Sequence, residues 1–545
     1  MQGFYTTQLT EDRNDDYDVT TQFFANYAKT FGKHDLTAMV GYEDYYAFWE
    51  NLGASRDQYE LTNYPYLDLG PEDYRDNSGN AQEYAYRSFF GRLTYSYDSR
   101  YMVQANFRRD GSSRFAGDSR WGNFPSFSAG WVLSEEKFIK DLNWDWLSYF
   151  KFRGSWGTLG NERITMKDGD RDVQNYYPYQ SALNFGSALF YNGTDIISAT
   201  TAAQQYYAVR NITWETTETW DIGLDANFFN GRLRFTADYY KKMTKDMLLA
   251  LEIPKYIGYD NPSVNTGKMH TTGYDLEIGW RDQVGDFSYS VSANFSDFVS
   301  KMGNLGGTEI LGDQVKKEGS QFNEWYGYVS DGLFLTQEEV DKSPKLNDNT
   351  QVGDIRYKDI SGPDGVPDGR ISSEYDRILL GGSLPRYMFG VNLTAAYKGF
   401  DLSMMFQGVG SQHSRITNNM IEGLLYNWGN FPAMLDGNYW SSLNSDEVNS
   451  NVKYPRLTRS NKDAYLCMSD YWLFNGRYLR MKNLTLGYTL PSIWTKKASI
   501  ERIRLYVSGN DLFCLSGYPK GWDPEVKDTG YPITTSLLFG ISVNF

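Results

Sequence analysis

The stretch of this 545-residue sequence with the clearest capacity for chemistry is DISGPDGVPDGRISSEYD, residues 359–376. Asp359, Asp364 and Asp368 are spaced along it between glycines and prolines. Calcium takes several oxygen ligands, which proteins often supply from flexible acidic loops. The three aspartates therefore predict a Ca²⁺ site, although two prolines interrupt the spacing of an EF-hand. The alternative is a set of rigid turns, for which glycine, proline and aspartate are equally suited.

Aromatic residues in a second loop, residues 411–476, are candidates for binding cargo. Tyr426, Trp428, Tyr439 and Trp440 lie within the segments LLYNWGNF and GNYWSS. Flat aromatic rings can stack on sugar rings, so these residues predict a substrate-binding surface. The alternative is that they pack within the loop or belong to an aromatic girdle, because tyrosine and tryptophan combine an apolar body with a polar tip.

The sequence contains no arrangement typical of an enzyme. Its three histidines, His34, His270 and His413, lack the spacing of metal ligands, and nothing places a serine or cysteine nucleophile beside a base. The enzymatic alternative is a barrel-type hydrolase that uses His270 or His413. Four carboxylates are expected to be solvated polar lining rather than a catalytic pair: Asp225, Asp238, Asp275 and Glu277.

Charge and hydropathy exclude further classes of protein. The net charge of −15 argues against nucleic-acid binding, which requires a basic face. No apolar run approaches the ~18 residues of a transmembrane helix. Residues 1–30 have no basic region followed by an apolar one, so no signal peptide is expected there. Cys467 and Cys514 are expected to be free thiols, with a single bridge as the alternative.

The elements that must position these loops show a period of two residues along most of the chain. Apolar and polar side chains alternate in RSFFGRLTYSY, residues 87–97, and again in YMVQANFR, residues 101–108. Residues 220–240 are predicted to form a hairpin around an Asn-Gly turn, from the sequence WDIGLDANFFNGRLRFTADYY. This alternation is typical of half-buried antiparallel strands.

Two features favour a transmembrane β-barrel over a soluble β-sandwich or propeller. Short and long connections alternate along the chain, and aromatic residues, 17% of the total, cluster near strand ends. Short periplasmic turns, long outer loops and aromatic girdles mark outer-membrane barrels. The predicted fold class is therefore all-β, a transmembrane antiparallel barrel whose apolar face contacts outer-membrane lipids and whose polar face lines the lumen.

Fifteen strands are predicted in residues 18–545, with residues 1–17 as the stub of an extracellular loop. The strands lie near residues 18–30, 34–48, 85–97, 101–109, 124–134, 147–157, 214–229, 232–248, 270–281, 287–300, 386–397, 400–410, 477–490, 501–512 and 536–545. The long extracellular loops are expected at about 49–84, 158–213, 249–269, 301–385, 411–476 and 513–535. Single-chain bacterial barrels have an even number of strands. An odd count therefore predicts the C-terminal part of a larger barrel.

Several segments resemble the SusC/RagA family of TonB-dependent outer-membrane transporters of Bacteroidota. The resemblance runs through residues 18–545 in order. It is carried by RRDGSSRFAGDSRWGNFPSFSAGWVLSEEKF (108–138), KFRGSWGTLGN (151–161), GDIRYKDISGPDGVPDGRI (353–371), LPRYMFGVNLTAAYKGFDLSMMFQG (384–408) and RLYVSGNDLFCLSGYPKGWDPE (504–525).

This resemblance implies a barrel of about 22 strands closed by a plug. It implies import of an oligosaccharide or a peptide, with a SusD-like surface lipoprotein as a lid and with TonB acting through a plug region outside this chain. No covalent catalysis and no cofactor other than the predicted Ca²⁺ are expected. The alternative is a passive porin or a surface-exposed structural or adhesin barrel.

Overall fold

A computed structural model of the chain describes residues 7–60, 63–168, 171–191, 193, 195–204, 207–251, 253–306, 312–416, 432–458, 461–526 and 530–545. Strands dominate the described residues, and helices are confined to short segments between strands. None of these helices combines the length and the apolar character needed to cross a membrane.

Fifteen long strands form one sheet, in which the strands follow each other in chain order. The pairs whose register is known are antiparallel, as in β1–β2 and β14–β15. The strands are β1 (Leu9–Phe31), β2 (His34–Arg56), β3 (Arg75–Tyr97), β4 (Tyr101–Ser112), β5 (Trp121–Val132), β6 (Leu147–Asn161), β7 (Glu215–Phe228), β8 (Leu233–Lys245), β9 (Lys268–Val284), β10 (Phe287–Met302), β11 (Arg386–Tyr397), β12 (Phe400–Ser411), β13 (Tyr478–Thr489), β14 (Arg502–Ser516) and β15 (Ser536–Asn544).

All fifteen predicted strands are present, but the first three are longer than the sequence pattern indicates. Residues 9–17, expected as the stub of a loop, extend β1, and residues 49–56 and 75–84 extend β2 and β3. These parts pair without a register shift, from Leu9 opposite Arg56 onward. Their side chains do not alternate between apolar and polar, so the pairing leaves little trace in the sequence.

The shorter elements lie in the connections between long strands. The short strands are Thr165–Asp168, Arg171–Gln174, Asn184–Tyr191, Ile196–Ala203, Leu248–Ala250, Ser263–Asn265, Gln314–Val315, Glu324–Tyr328, Ser330–Leu333, Ile355–Tyr357, Arg377–Gly382, His413–Arg415 and Leu473–Asn475. The α-helices are Lys137–Lys140, Gln337–Lys342, Asp446–Asn449, Lys462–Leu466 and Ser492–Thr495. The 3₁₀ helices are Leu67–Leu69, Glu72–Tyr74, Gly117–Arg120, Leu133–Glu135, Lys255–Ile257, Asp470–Trp472 and Lys496–Ala498.

The chain divides into two compact units, each with its own buried cluster. Unit 1 comprises residues 1–131, 153–220 and 243–268, and unit 2 comprises residues 132–152, 221–242 and 269–545. The cluster of unit 1 consists of Phe115, Ile164 and Ile212. The cluster of unit 2, which we call the loop core, consists of Tyr328, Ile355, Tyr357, Ile371, Ile416, Tyr465 and Trp472. Both clusters lie in connections rather than in the long strands.

The apolar side chains of the long strands are largely exposed instead. On β4, Tyr101, Val103 and Phe107 expose 42%, 50% and 49% of their surfaces. A water-soluble sheet buries such a face, whereas a membrane-spanning strand turns it towards lipid. The long strands therefore have the surface of a sheet that contacts a membrane.

Candidate functional site

A cavity of about 770 Å³, which we call the sheet cavity, lies against the sheet of unit 2. It is lined by residues of β9–β13, by Pro385 and Gln412 at strand ends, and by a loop segment, residues 524–525. The polar lining includes neutral amides and hydroxyls together with two carboxylates: Ser292, Asn294, Ser296, Asn392, Gln407, Gln412, Tyr478, Glu277 and Glu525. Because an amide offers donors and an acceptor together, this surface suits a polar cargo with little charge.

Gly390 shapes the sheet cavity. It pairs with Asn294 of β10 on one side and with Gln407 of β12 on the other. A Cβ at Gly390 would lie 2.4 Å from Oδ1 of Asn294, so the missing side chain makes room for this carboxamide. Gln407 donates from Nε2 to the hydroxyl of Tyr478 at 3.2 Å. Both carboxamides are therefore positioned by neighbouring strands.

A network of five charged side chains, which we call the rim network, borders the sheet cavity. Arg480, only 3% exposed, donates to Asp523 at 2.5 Å and to Glu525 at 2.7 Å. Lys482 donates to Asp511 at 3.0 Å and to Glu525 at 3.2 Å. Because Glu525 also lines the cavity, the network fixes the loop that forms part of its border.

Two β-bulges bring the rim network together. The register of β13 shifts around Lys482 against both of its neighbours, between Met481 and Asn483. On β14, Asp511 has a φ of +49°, in the left-handed region. Bulges of this kind re-aim side chains. The alternating cations of RYLRMK and the carboxylates of WDPE are visible in the sequence, but no pattern indicates that they meet.

The acidic loop does not bring its three predicted ligands together. Oδ2 of Asp359 accepts the N–H of Gly369 at 2.6 Å, and Oδ1 of Asp368 accepts the N–H of Arg370 at 3.0 Å, while Asp364 is exposed. Within the described ranges, no three His, Cys, Asp or Glu side chains form a group that could hold a metal. The calcium site stays a prediction, and these contacts match the alternative of rigid turns.

Asp376 organises this loop, and the sequence did not indicate this role. It is fully buried. Its Oδ1 accepts the N–H groups of Ile360 at 2.7 Å and Ser361 at 3.2 Å, and its Oδ2 accepts that of Ser372 at 2.7 Å. A buried carboxylate bound by three backbone donors ties both ends of the loop together.

Half of the predicted aromatic surface can be located. Tyr426 and Trp428 lie outside the described residues. The backbone N–H of Trp440 donates to the carbonyl of Tyr454 at 2.9 Å, and Tyr439 forms a parallel bridge to the same residue. The Trp440 indole lies against Gly353, where a Cβ would come within 2.4 Å of it. Trp440 thus packs within the loop, and stacking on cargo stays a prediction.

Both cysteines are free thiols, as the sequence predicts. Cys467 lies 3.1 Å from the hydroxyl of Tyr357, beside the loop core. Burial raises the pKa of this thiol to about 11, because the thiolate would lose its hydration. Cys467 is therefore protonated at neutral pH and unsuited to act as a nucleophile.

Two of the predicted lining carboxylates and two of the histidines lie in strands of the described structure. Asp275 and Glu277 are exposed on β9. His270 pairs with Lys301 in the sheet, and the carbonyl of His413 accepts the indole N–H of Trp325 at 2.8 Å. These positions are those of ordinary strand residues.

In unit 1, the segment RDGSSRF, residues 109–115, forms a hydrogen-bonded knot. The guanidinium of Arg114 lies between the rings of Tyr84 and Tyr176, at 5.0 and 4.7 Å. It donates to the carbonyl of Glu162 at 3.3 Å and to Oε1 of Gln174 at 2.9 Å. The knot joins the end of β4 to the connection after β6.

The sequence and the fold of this chain are similar to those of known proteins. The model of the family described as "TonB dependent receptor-like, beta-barrel" matches residues 2–512. The chain is 28% identical over 547 residues to the TonB-dependent receptor SusC of Bacteroides thetaiotaomicron, covering 97% of this chain and 50% of SusC. It is 29% identical over 518 residues to the TonB-dependent receptor P3 of Formosa agariphila, covering 92% and 48%.

Among solved structures, the chain is similar to the RagAB peptide transporter, with a TM-score of 0.79 and 26% identity. This match covers 99% of the chain and 56% of the RagAB chain. The chain thus spans about half the length of the relatives it matches.

Proposed function

Because this chain belongs to the TonB-dependent receptor family of β-barrels, we propose that it forms most of the barrel of a nutrient importer. The family consists of outer-membrane transporters rather than enzymes. The proposed cargo is an oligosaccharide or a peptide, which crosses the barrel without covalent change.

The similarity to RagAB along 99% of the chain carries this proposal. RagAB is described as a peptide transporter, and SusC as a TonB-dependent receptor. The exposed apolar face of the strands and the amide-rich sheet cavity support it, since an importer needs a lipid-facing wall and a polar path.

Two partners follow from the proposed function. A SusD-like surface lipoprotein would cover the extracellular mouth, and TonB would act through a plug in the length of the relatives that this chain does not span. Opening would then be a conformational step driven from the inner membrane.

The predicted Ca²⁺ site and the aromatic stacking surface also remain part of the proposal. Oδ1 of Asp359 is buried and has no hydrogen-bond partner, which supports a role for this oxygen as a ligand. Binding of Tb³⁺, measured by luminescence on the intact protein and on its Asp359→Asn variant, tests the site. Equal Tb³⁺ binding by both proteins would contradict it.

The function is tested by deleting the gene in its host and measuring uptake of labelled oligosaccharides and peptides. We expect loss of uptake of one cargo class, restored by the intact gene and abolished when an uncoupler removes the proton-motive force. Uptake that survives the uncoupler, with ion conduction by the purified protein in a planar bilayer, would instead favour a passive porin. Unchanged uptake of both cargo classes would favour a structural or adhesin barrel.

A further inference from the structure

Two consecutive arginines of β4 lie on opposite faces of the sheet in unit 1. Arg108 donates to Asp110 at 2.7 Å and to the hydroxyl of Ser88 at 2.8 Å, within the polar face. Arg109 shares its face with the exposed side chains of Phe107 and Val103, since side chains two residues apart point to the same side. Arg109 therefore lies on the face that contacts lipid.

The position of Arg109 along β4 corresponds to the edge of the membrane. The apolar face of β4 begins at Tyr101, which stacks on Trp131 with ring centroids 6.5 Å apart. Eight residues separate Tyr101 from Arg109, or roughly 26 Å of strand, which the usual tilt reduces to about 20 Å across the membrane. The lipid-facing band of such barrels is about 25 Å high, so a long arginine side chain at this level reaches the headgroups.

The connections near Arg109 identify the outer leaflet. The strands at this end are joined by residues 57–74, 113–120 and 162–214, and those at the other end by residues 32–33, 98–100 and 133–146. Taken together, the connections at the end of Arg109 are much the longer. Long loops are extracellular and short turns periplasmic in outer-membrane barrels. Arg109 thus faces the headgroups of the outer leaflet.

The surroundings of Arg109 form a small set of donors. Its guanidinium lies 5.2 Å from the ring centroid of Trp121, and the exposed Asn123 is its direct partner in the β4–β5 register. Trp121 in turn lies against Gly111, where a Cβ would be 2.8 Å from the indole. The glycine therefore allows the indole to lie close to β4, beside Arg109.

Arg109 makes no ion pair with any residue in the described ranges, in contrast to Arg87 and Lys245 of the same unit. Arg87 donates to Asp44 from Nε at 2.8 Å and from an Nη at 2.5 Å. Lys245 donates to Glu218 at 2.8 Å. A guanidinium that lies at a membrane interface and has no carboxylate partner is stabilised when it binds an anion from outside the protein.

We propose that Arg109, Asn123 and Trp121 bind the phosphate of an outer-leaflet lipid. A guanidinium presents paired N–H donors that match a phosphate, the Asn123 amide adds another donor, and the Trp121 ring holds the guanidinium in place. The occupant is the phosphorylated glycolipid of Gram-negative outer leaflets, because the site continues an apolar face that contacts acyl chains. This inference does not depend on the cargo.

Native mass spectrometry on the full-length delipidated protein tests the site, with purified lipid A and dephosphorylated lipid A as probes. The intact protein should retain phosphorylated lipid A in preference to the dephosphorylated form. Arg109→Gln should reduce that retention by roughly tenfold, the scale expected for hydrogen bonds to a charged group. The matched control Arg87→Gln should reduce it by less than about twofold, because this guanidinium already binds Asp44.

A second pair of variants keeps the test decisive if Arg109→Gln folds poorly. Arg109→Lys keeps the charge and loses the paired donors, so its retention should be intermediate, and Asn123→Ala should weaken retention with Arg109 intact. Equal retention of both lipids by the intact protein, or retention unaffected by every one of these substitutions, would overturn the proposal. Displacement of lipid A by millimolar inorganic phosphate would identify a site for the free ion and overturn its assignment to a lipid.

Discussion

In the loop core, Trp472 exposes 1% of its surface, and its ring centroid lies 5.7 Å from that of Tyr465. On β15, by contrast, Phe539 exposes 79% of its surface. Both belong to unit 2. The connections pack apolar side chains together, as soluble domains do, while the long strands turn theirs outward and hold charged groups such as Arg480 on their buried side. One unit therefore combines two packing rules, according to the solvent that each part meets.

The largest effect is expected from Trp472→Ala. This variant tests whether buried apolar packing stabilises the connections between the long strands. It should destabilise the loop core by about 3–5 kcal/mol, because it removes a fully buried aromatic ring and the bond from its indole to the carbonyl of Tyr465 at 2.9 Å. Hydrogen exchange of the intact protein should accelerate in residues 324–357 but not in β9–β13. Leu443→Ala is the control, since Leu443 is 94% exposed. Equal exchange in both variants would contradict a shared loop core.

Arg480→Met tests whether paired charges on the buried side of the long strands stabilise the protein. The substitution leaves Asp523 and Glu525 without their main partner, and it should cost about 3 kcal/mol. This is the lower end of the range for broken buried pairs, because Lys482 still faces Glu525. Urea unfolding of the intact protein and proteolysis of residues 517–526 measure it. Arg477→Met, at an exposed position, is the control, and identical unfolding of the two variants would exclude a stabilising rim network.

Gly390→Ala probes the sheet cavity with a smaller effect. The new methyl group must displace the Asn294 carboxamide, and we expect a loss of about 1 kcal/mol in stability with a raised KM for uptake. Gly279→Ala is the control, because a Cβ there meets no atom within 4 Å. If the two variants have equal KM values, the Asn294 side of the cavity does not contact cargo.

The rate of alkylation of Cys467 is expected to show the smallest effect. It reports on the loop core, against which Cys467 packs. Its pKa of about 11 means that the thiol is protonated below that pH and becomes reactive only as the pH rises towards it. At pH 8, iodoacetamide should therefore modify Cys467 slowly in the intact protein and faster after Trp472→Ala. Rapid modification of the intact protein would show that the thiol is not shielded.

The sequence could predict the long strands because their signal is local. Alternation in segments such as residues 101–108 depends only on the two faces of one strand, and it located all fifteen. It failed for residues 9–17 and 75–84, where strands pair through the backbone without an apolar face. The free thiols also followed from the sequence alone.

The charged groups that meet across strands could not be predicted in this way. Lys482 and Asp511 meet because bulges shift the register, and Asp376 ties both ends of the acidic loop together. Such contacts depend on register and chain reversal between residues far apart in sequence. The sequence determined which residues face lipid and which face the polar side, because that choice has a period of two. Only the tertiary structure decided which polar residues are neighbours, because one shift of register changes every partner.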